Sequence, residues 1–229
     1  MRQLLRDIEP YPPTCTGFRK LMSCRAFFPG GDGRWQPNKL DLPIQVLFLG
    51  SDFNSEANYD REFEKPEALI EDSPATWRGV VRLMNAAHIN PEECFFTNAW
   101  PCLRTGNAKN TGDPPGAKDS AFTNRCLNFF RLTLREIQPQ FVIPLGVWPT
   151  CFVSGLDPVA MKHWRIPQWN SIDHQDHMTV EVDGREITFI PAIHPSLPNH
   201  RYRLLHKTAE AEAAHIRKVM RSSNAPMLA

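Results

Sequence analysis

The chain has 229 residues, of which 41% are hydrophobic and 22% charged, with a formal net charge of +1; these are the proportions of a globular protein that can bury a large core in one domain. No stretch approaches ~20 consecutive apolar residues and the amino terminus carries no export-type apolar segment, so a membrane-spanning helix is excluded and a single cytoplasmic domain over 1–229, monomeric and away from membranes, is expected. The near-neutral balance neither announces nor excludes nucleic acid, because a local basic patch is what counts. Residues 1–40 are turn-rich, with Tyr11-Pro12-Pro13 and Phe28-Pro29-Gly30-Gly31. They lead into Ile44-Gln45-Val46-Leu47-Phe48-Leu49-Gly50, a short apolar run bounded by Pro43 and Gly50 that reads as a strand buried on both faces. Asp52 stands two residues past that glycine. Ligands of open α/β sheets bind beyond the carboxyl ends of the strands, although an Asp there also commonly caps a turn or helix.

Residues 54–72 are charged and irregular and are expected to form a loop. Ser73-Pro74 is the signature of an N-cap followed by proline in the first helical turn, and Trp77, Val80, Val81 and Met84 recur at helical spacing, which predicts a helix over about 74–87. A second buried run, 93–98, ends in Asn98. After a long loop, 104–118, the positions Leu127, Phe130, Leu134 and Ile137 mark a helix that Pro139 stops. Residues 141–146 form a third strand, followed by a short helix that ends before Gly155. Residues 178–182 and 186–190 flank Asp183-Gly184, a hairpin signal, and the second arm is the fourth core strand. It runs into Ile193-His194-Pro195-Ser196. Ala209, Ala213, Ile216 and Met220 mark a closing helix, and 222–229 are expected to be a frayed tail. The order βαβαβαβ predicts a three-layer αβα sandwich around a central four-stranded parallel sheet.

In a parallel sheet the strand ends carrying Asp52, Asn98 and His194 share one edge, and together these residues make a candidate site. The six cysteines are Cys15, Cys24, Cys94, Cys102, Cys126 and Cys151. Without an export signal, metal binding or plain burial competes to explain them ahead of disulfides, and no pair has the two-residue spacing of a zinc knuckle. There is no Gly-x-x-x-x-Gly-Lys loop, so no nucleotide cofactor is expected.

The set Leu49-Gly50-Ser51-Asp52, Phe96-Thr97-Asn98-Ala99 and Ile193-His194-Pro195-Ser196 resembles the uracil-DNA glycosylase superfamily in order, spacing and strand context over about residues 40–205. The resemblance is to its iron-sulfur branch in particular, whose Thr-Asn-Ala-x-x-Cys is matched by Thr97, Asn98, Ala99 and Cys102, and whose Cys-x-x-Phe is matched by Cys126 and Phe129. The first motif departs from that branch. Gly50-Ser51-Asp52-Phe53-Asn54 replaces Gly-Glu-Ala-Pro-Gly, and the Asp two places after Gly is similar to the Gly-Gln-Asp-Pro-Tyr of another branch. Phe53-Asn54 therefore alters the pocket wall that excludes larger bases.

The resemblance implies an enzyme that flips a uracil or modified pyrimidine out of single- or double-stranded DNA and hydrolyses its N-glycosidic bond. Asp52 would stabilise the cationic sugar and handle the water, and a neutral His194 would donate to the departing base anion. Asn98 would pair with the base edge, since an amide both donates and accepts. Phe53, Asn54 and Trp77 would line the base, although Trp77 at helical spacing also suits the core. Ser196, Leu197, Arg201 and Arg203 would meet DNA, the leucine as a wedge and the arginines on phosphates. Cys15, Cys24, Cys102 and Cys126 would hold a [4Fe-4S] cluster that pins the amino-terminal segment 1–40 and the 104–118 loop to the core. Two alternatives remain open: a glycosylase for bulky modified bases, such as modified cytosine in viral DNA, in a defence role, and a non-catalytic module that grips damaged or single-stranded DNA.

Overall fold

The computed structural model describes residues 7–17, 33, 43–53, 55–63, 75–106, 112–196 and 203–223. A short strand β1 (Cys15–Thr16) precedes the central strand β2 (Val46–Asp52). Helices α1 (Glu56–Phe63) and α2 (Ala75–Ala87) follow, then β3 (Cys94–Trp100) and the short β4 (Leu103–Arg104). The long helix α3 (Ser120–Ile137), strand β5 (Phe141–Pro144), helices α4 (Val147–Val153) and α5 (Trp169–Ile172), the hairpin β6 (Met178–Val182) and β7 (Arg185–Phe189), and helix α6 (Ala209–Ser223) complete the order. No helix among the described residues is long and apolar enough to cross a membrane.

The main sheet has the order β3-β2-β5-β7-β6. Its first four strands are parallel, as expected, and β6 adds a fifth, antiparallel strand at one side. That strand exists because Asp183 and Gly184, with φ of 51° and 79°, make the left-handed two-residue turn that matches strand twist. β2 is buried on both faces because its side chains alternate between two cores. Leu47 and Leu49 pack with Phe122, Phe130 and Leu134 of α3 and Phe152 of α4, whereas Val46 and Phe48 pack with Val80 and Met84 of α2 and Ile216 of α6. This gives the three layers.

Local signals account for the helix ends. Asp119 accepts a hydrogen bond from the Phe122 amide at 2.8 Å, and α3 stops at Gln138, which turns left-handed (φ 54°) ahead of Pro139. Two expectations are corrected. Residues 56–63, read as loop from their charge, form α1, which is anchored by its neighbours: Glu56 accepts the Gly106 amide at 2.6 Å, and the Ala57 amide donates to the Gly106 carbonyl. Ser222 and Ser223, expected in the frayed tail, end α6, and residues 224–229 lie outside the described residues. A separate two-stranded sheet joins β1 to β4 and pairs Cys15 with Arg104.

Candidate functional site

Asp52 is the last residue of β2, and the register sets Gly50 beside Asn98 and Asp52 beside Trp100. Asn98 is buried (3% exposed) and, two residues from Phe96, shares the side of β3 that faces α2. His194 follows the bridge between Leu145 and Ala192, and its Cβ lies just over the left-handed Gly146. The three predicted strand-end residues thus occupy the same edge of one sheet.

Asp52 is not a solitary carboxylate. Arg104 forks onto it, Nε to Oδ2 at 2.9 Å and Nη2 to Oδ1 at 3.4 Å, and both side chains are nearly closed to solvent. Burial raises the proton affinity of Asp52, and the guanidinium opposes that rise. The Asp52 backbone amide also hydrogen-bonds this carboxylate and, like the guanidinium, favours its charged form.

His194 Nδ1 lies 2.8 Å from Ser196 Oγ and accepts the Ser196 amide at 3.4 Å. An amide can only donate, so the ring proton belongs on Nε2, which becomes the donor at the site. Burial lowers the pKa of His194 to about 4, so the ring is neutral at physiological pH. The loop is held from two sides. The Ile193 amide donates to buried Glu212 Oε1 at 3.0 Å, and Pro195 packs directly on Gly79 of α2.

The other expected residues divide. Phe53 meets Tyr59 edge to face at 5.6 Å, which fixes one wall beside Asp52. Trp77, expected at the base, lies 5% exposed in the core with its ring edge on Phe96 at 5.0 Å, as its helical spacing also allowed. The expectation that Arg203 meets phosphate is corrected. Arg203 is 1% exposed, in close ion contact with Asp173 at 2.7 Å, bonded to Glu212 at 2.9 Å, and stacked 4.3 Å over Trp169. Two carboxylates and an indole already occupy it. Asn54, Leu197 and Arg201 lie outside the described residues, as does Cys24.

Three of the four expected cluster cysteines gather at the amino-terminal sheet. The Cys102 thiol hydrogen-bonds Cys15, which lowers the proton affinity of Cys15 and raises that of Cys102. Cys126 of α3, buried and held protonated by that burial, is near enough to act electrostatically on both, and all three thiols help burial to raise the proton affinity of Tyr11. These buried thiols are soft donors that fit an iron-sulfur group. The Cys102 carbonyl also accepts the Phe53 amide at 3.1 Å, so this group of cysteines abuts the Asp52 turn. A cavity of about 500 Å³ opens beside Arg104, with Thr14, Thr105 and Lys118 on its walls, and it does not include Asp52, Asn98 or His194.

Arg104 and Glu212 were not singled out in the sequence. Glu212 had a detectable signal, because it adjoins Ala213 on the buried face of α6, where an acid needs a partner. Arg104 had none: in the sequence it only opens the stretch 104–118 that reads as a loop.

A family model described as "Uracil DNA glycosylase superfamily" matches residues 45–219. No curated protein sequence matches the chain.

Proposed function

Taking as premise that this chain belongs to the uracil DNA glycosylase superfamily, whose members are DNA glycosylases, we propose that it removes uracil or a modified pyrimidine from DNA by hydrolysis, without a nucleotide cofactor. The observation that carries the reading is the tautomer of His194: with Nδ1 engaged by Ser196, a neutral ring offers Nε2–H to the carbonyl oxygen of the leaving base. A preorganised donor at the atom where negative charge develops is the largest single source of such catalysis. Asn98 reads the edge of the extruded base. Asp52, aimed by Arg104, faces the cationic sugar and orients the water. Ser196 and the residues after it meet the DNA backbone, with Leu197 and Arg201 as the wedge and phosphate contact.

Cys15, Cys102 and Cys126, with Cys24, would hold a [4Fe-4S] cluster. Bound there, it supplies a structural clamp between the amino-terminal segment and β4, the strand that carries Arg104. Iron content and a broad visible absorption in anaerobically purified protein, both lost in Cys126→Ser, test the assignment; colourless, iron-free wild-type protein defeats it. A bulkier modified base is the second reading, and it is favoured by the departure of the Phe53-Asn54 sequence from the motifs of the family's other branches.

The test is base release from a single-stranded uracil oligonucleotide run beside modified-cytosine DNA, across pH. Because folding lowers the pKa of His194 to about 4, the ring stays neutral as pH falls through 6.5, and the rate should show no loss at the pKa of an ordinary histidine. The linkage to stability has the opposite sense: below 6.5 the unfolded chain binds a proton that the folded chain refuses, so stability falls as pH drops from 6.5 toward 4. A rate that collapses with an apparent pKa near 6.5, in Asp52→Asn as well as in wild type, would remove neutral His194 from the mechanism. Release of no base from either substrate would leave only the DNA-gripping module.

The loop position can be tested without touching a reacting group. A Cβ on Gly79 would stand 2.5 Å from Pro195 Cβ and 2.7 Å from the Pro195 carbonyl oxygen. Backbone cannot swing aside as a side chain does, so Gly79→Ala must displace the loop. Base release should fall by about 10²-fold, the cost of a displacement on the order of 1 Å near a reacting centre, while circular dichroism stays unchanged. Wild-type rates in Gly79→Ala would show that the loop tolerates the shift.

A further inference from the structure

Away from the strand-end site, a second group of side chains lies under the far end of the loop that begins at His194. Asp176 stands between α5 and β6, His206 in the segment leading into α6, and His215 on α6 itself; one ligand atom from each lies within 4.8 Å of the other two. The imidazoles of His206 and His215 stack at 4.2 Å with 25° between their planes, and His215 Nδ1 is 3.6 Å from Asp176 Oδ2. Nε2 of each ring is shut off from solvent with no hydrogen-bond partner among the described residues. Buried ring nitrogens are ordinarily satisfied, so two orphans side by side need an explanation.

We propose that Asp176, His206 and His215 form a binding site for a divalent first-row transition metal ion of the zinc type. Two imidazoles and one carboxylate are a borderline donor set that suits such ions and not calcium or magnesium. Ligands of tetrahedral zinc at ~2.0–2.1 Å from the ion stand roughly 3.3 Å apart. Through its Nδ1, His215 is already near that separation from Asp176, and His206, whose buried Nε2 has no partner among the described residues, lies in a non-helical segment and has only a short distance to close. His177 Nδ1 bonds the other oxygen of Asp176 at 2.8 Å, the outer support that ligating carboxylates characteristically receive, and its ring is 5.8 Å from that of His215.

The electrostatic setting favours a cation. The charged groups acting on His206 are the guanidinium of Arg203 against the carboxylates of Asp176, Glu212 and Asp173. Arg203 is itself consumed by two of those acids. The ion would tie together three pieces of chain: the turn before β6, the segment that returns from the His194 loop, and α6, which carries Glu212 and so the Ile193 amide. Its role is a staple at the foot of the candidate DNA-binding loop, and the inference stands whether or not the glycosylase reading does.

The test is titration of the full chain with Co²⁺, whose spectrum separates nitrogen and oxygen ligands from the thiolates of Cys15, Cys102 and Cys126. Wild-type protein should bind one equivalent with weak visible ligand-field bands and without intense near-ultraviolet sulfur-to-metal charge transfer, and Zn²⁺ should displace it. His206→Ala, outside any helix or strand, should weaken this binding by at least about tenfold while the circular dichroism is retained, and Asp176→Asn should do the same. Zn²⁺ should raise the Tm of wild type and not that of His206→Ala. Binding confined to thiolate-type spectra, no binding at all, or equal binding and equal Tm shifts in His206→Ala would each overturn the site.

Discussion

Asp52→Asn will reduce base release by about 10²–10³-fold while the protein stays folded. The size follows from removing one preorganised charge at a transition state whose sugar is cationic. The fold survives because the amide oxygen of Asn can still accept the Arg104 Nε–H that now reaches Asp52 Oδ2 at 2.9 Å. A second signature distinguishes a lost catalytic group from a general disturbance. Burial raises the pKa of Asp52 above the ordinary aspartate value, so the wild-type rate should fall on the acid side as Asp52 protonates, and this acid limb should be missing from the residual activity of Asp52→Asn. Single-turnover release from a uracil oligonucleotide over a pH series gives both readouts. Turnover equal to wild type would take Asp52 out of the reaction.

Arg104→Leu will destabilise the protein by about 3–5 kcal/mol, because it leaves a buried carboxylate without its counter-ion. The two side chains are only 7% and 8% exposed, so water cannot substitute for the guanidinium. The direction of the effect on Asp52 is fixed: burial continues to favour the protonated acid, the opposing charge is gone, and the carboxylate form becomes scarcer at neutral pH. Activity should therefore fall with stability. The double variant Arg104→Leu, Asp52→Asn separates the two losses. Removing the stranded charge should recover a large part of the stability measured by urea unfolding, yet none of the activity. A single variant with unchanged stability, or a double variant no more stable than the single, would mean that the pair does not carry the energetic coupling its geometry implies.

The two arginines illustrate opposite outcomes of burial. In the sequence, Arg203 follows a loop of polar and basic residues and reads as a phosphate contact. In the fold it is interior, because Asp173 and Glu212 arrive from elsewhere in the chain and Trp169 supplies a face for the guanidinium. Arg104 gave no reading at all, yet it holds the residue most exposed to inference. Trp77 was open to two readings, a base-lining role implied by the resemblance and a core role from its helical spacing, and the core reading is the one its burial and its contact with Phe96 support.

The amino-acid sequence alone determined what depends on near neighbours. The apolar stretch from Val46 to Leu49, the helical spacing of Trp77, Val80, Val81 and Met84 in α2, and the Asp183-Gly184 turn follow from periodicity and backbone preference, and from these follow the parallel sheet and the common edge for Asp52, Asn98 and His194; the expected cap Ser73-Pro74 lies outside the described residues. The charge on α1 hid a helix, because its capping partner Gly106 lies 50 positions away. Only the tertiary structure decided which polar groups meet: Arg104 with Asp52 across 52 positions, Glu212 with the Ile193 amide across 19, and the imidazoles of His206 and His215 with Asp176. The physical reason is that a hydrogen bond or ion pair needs its partners within about 3 Å, and for distant residues that proximity is set by how the layers pack, which no local pattern encodes.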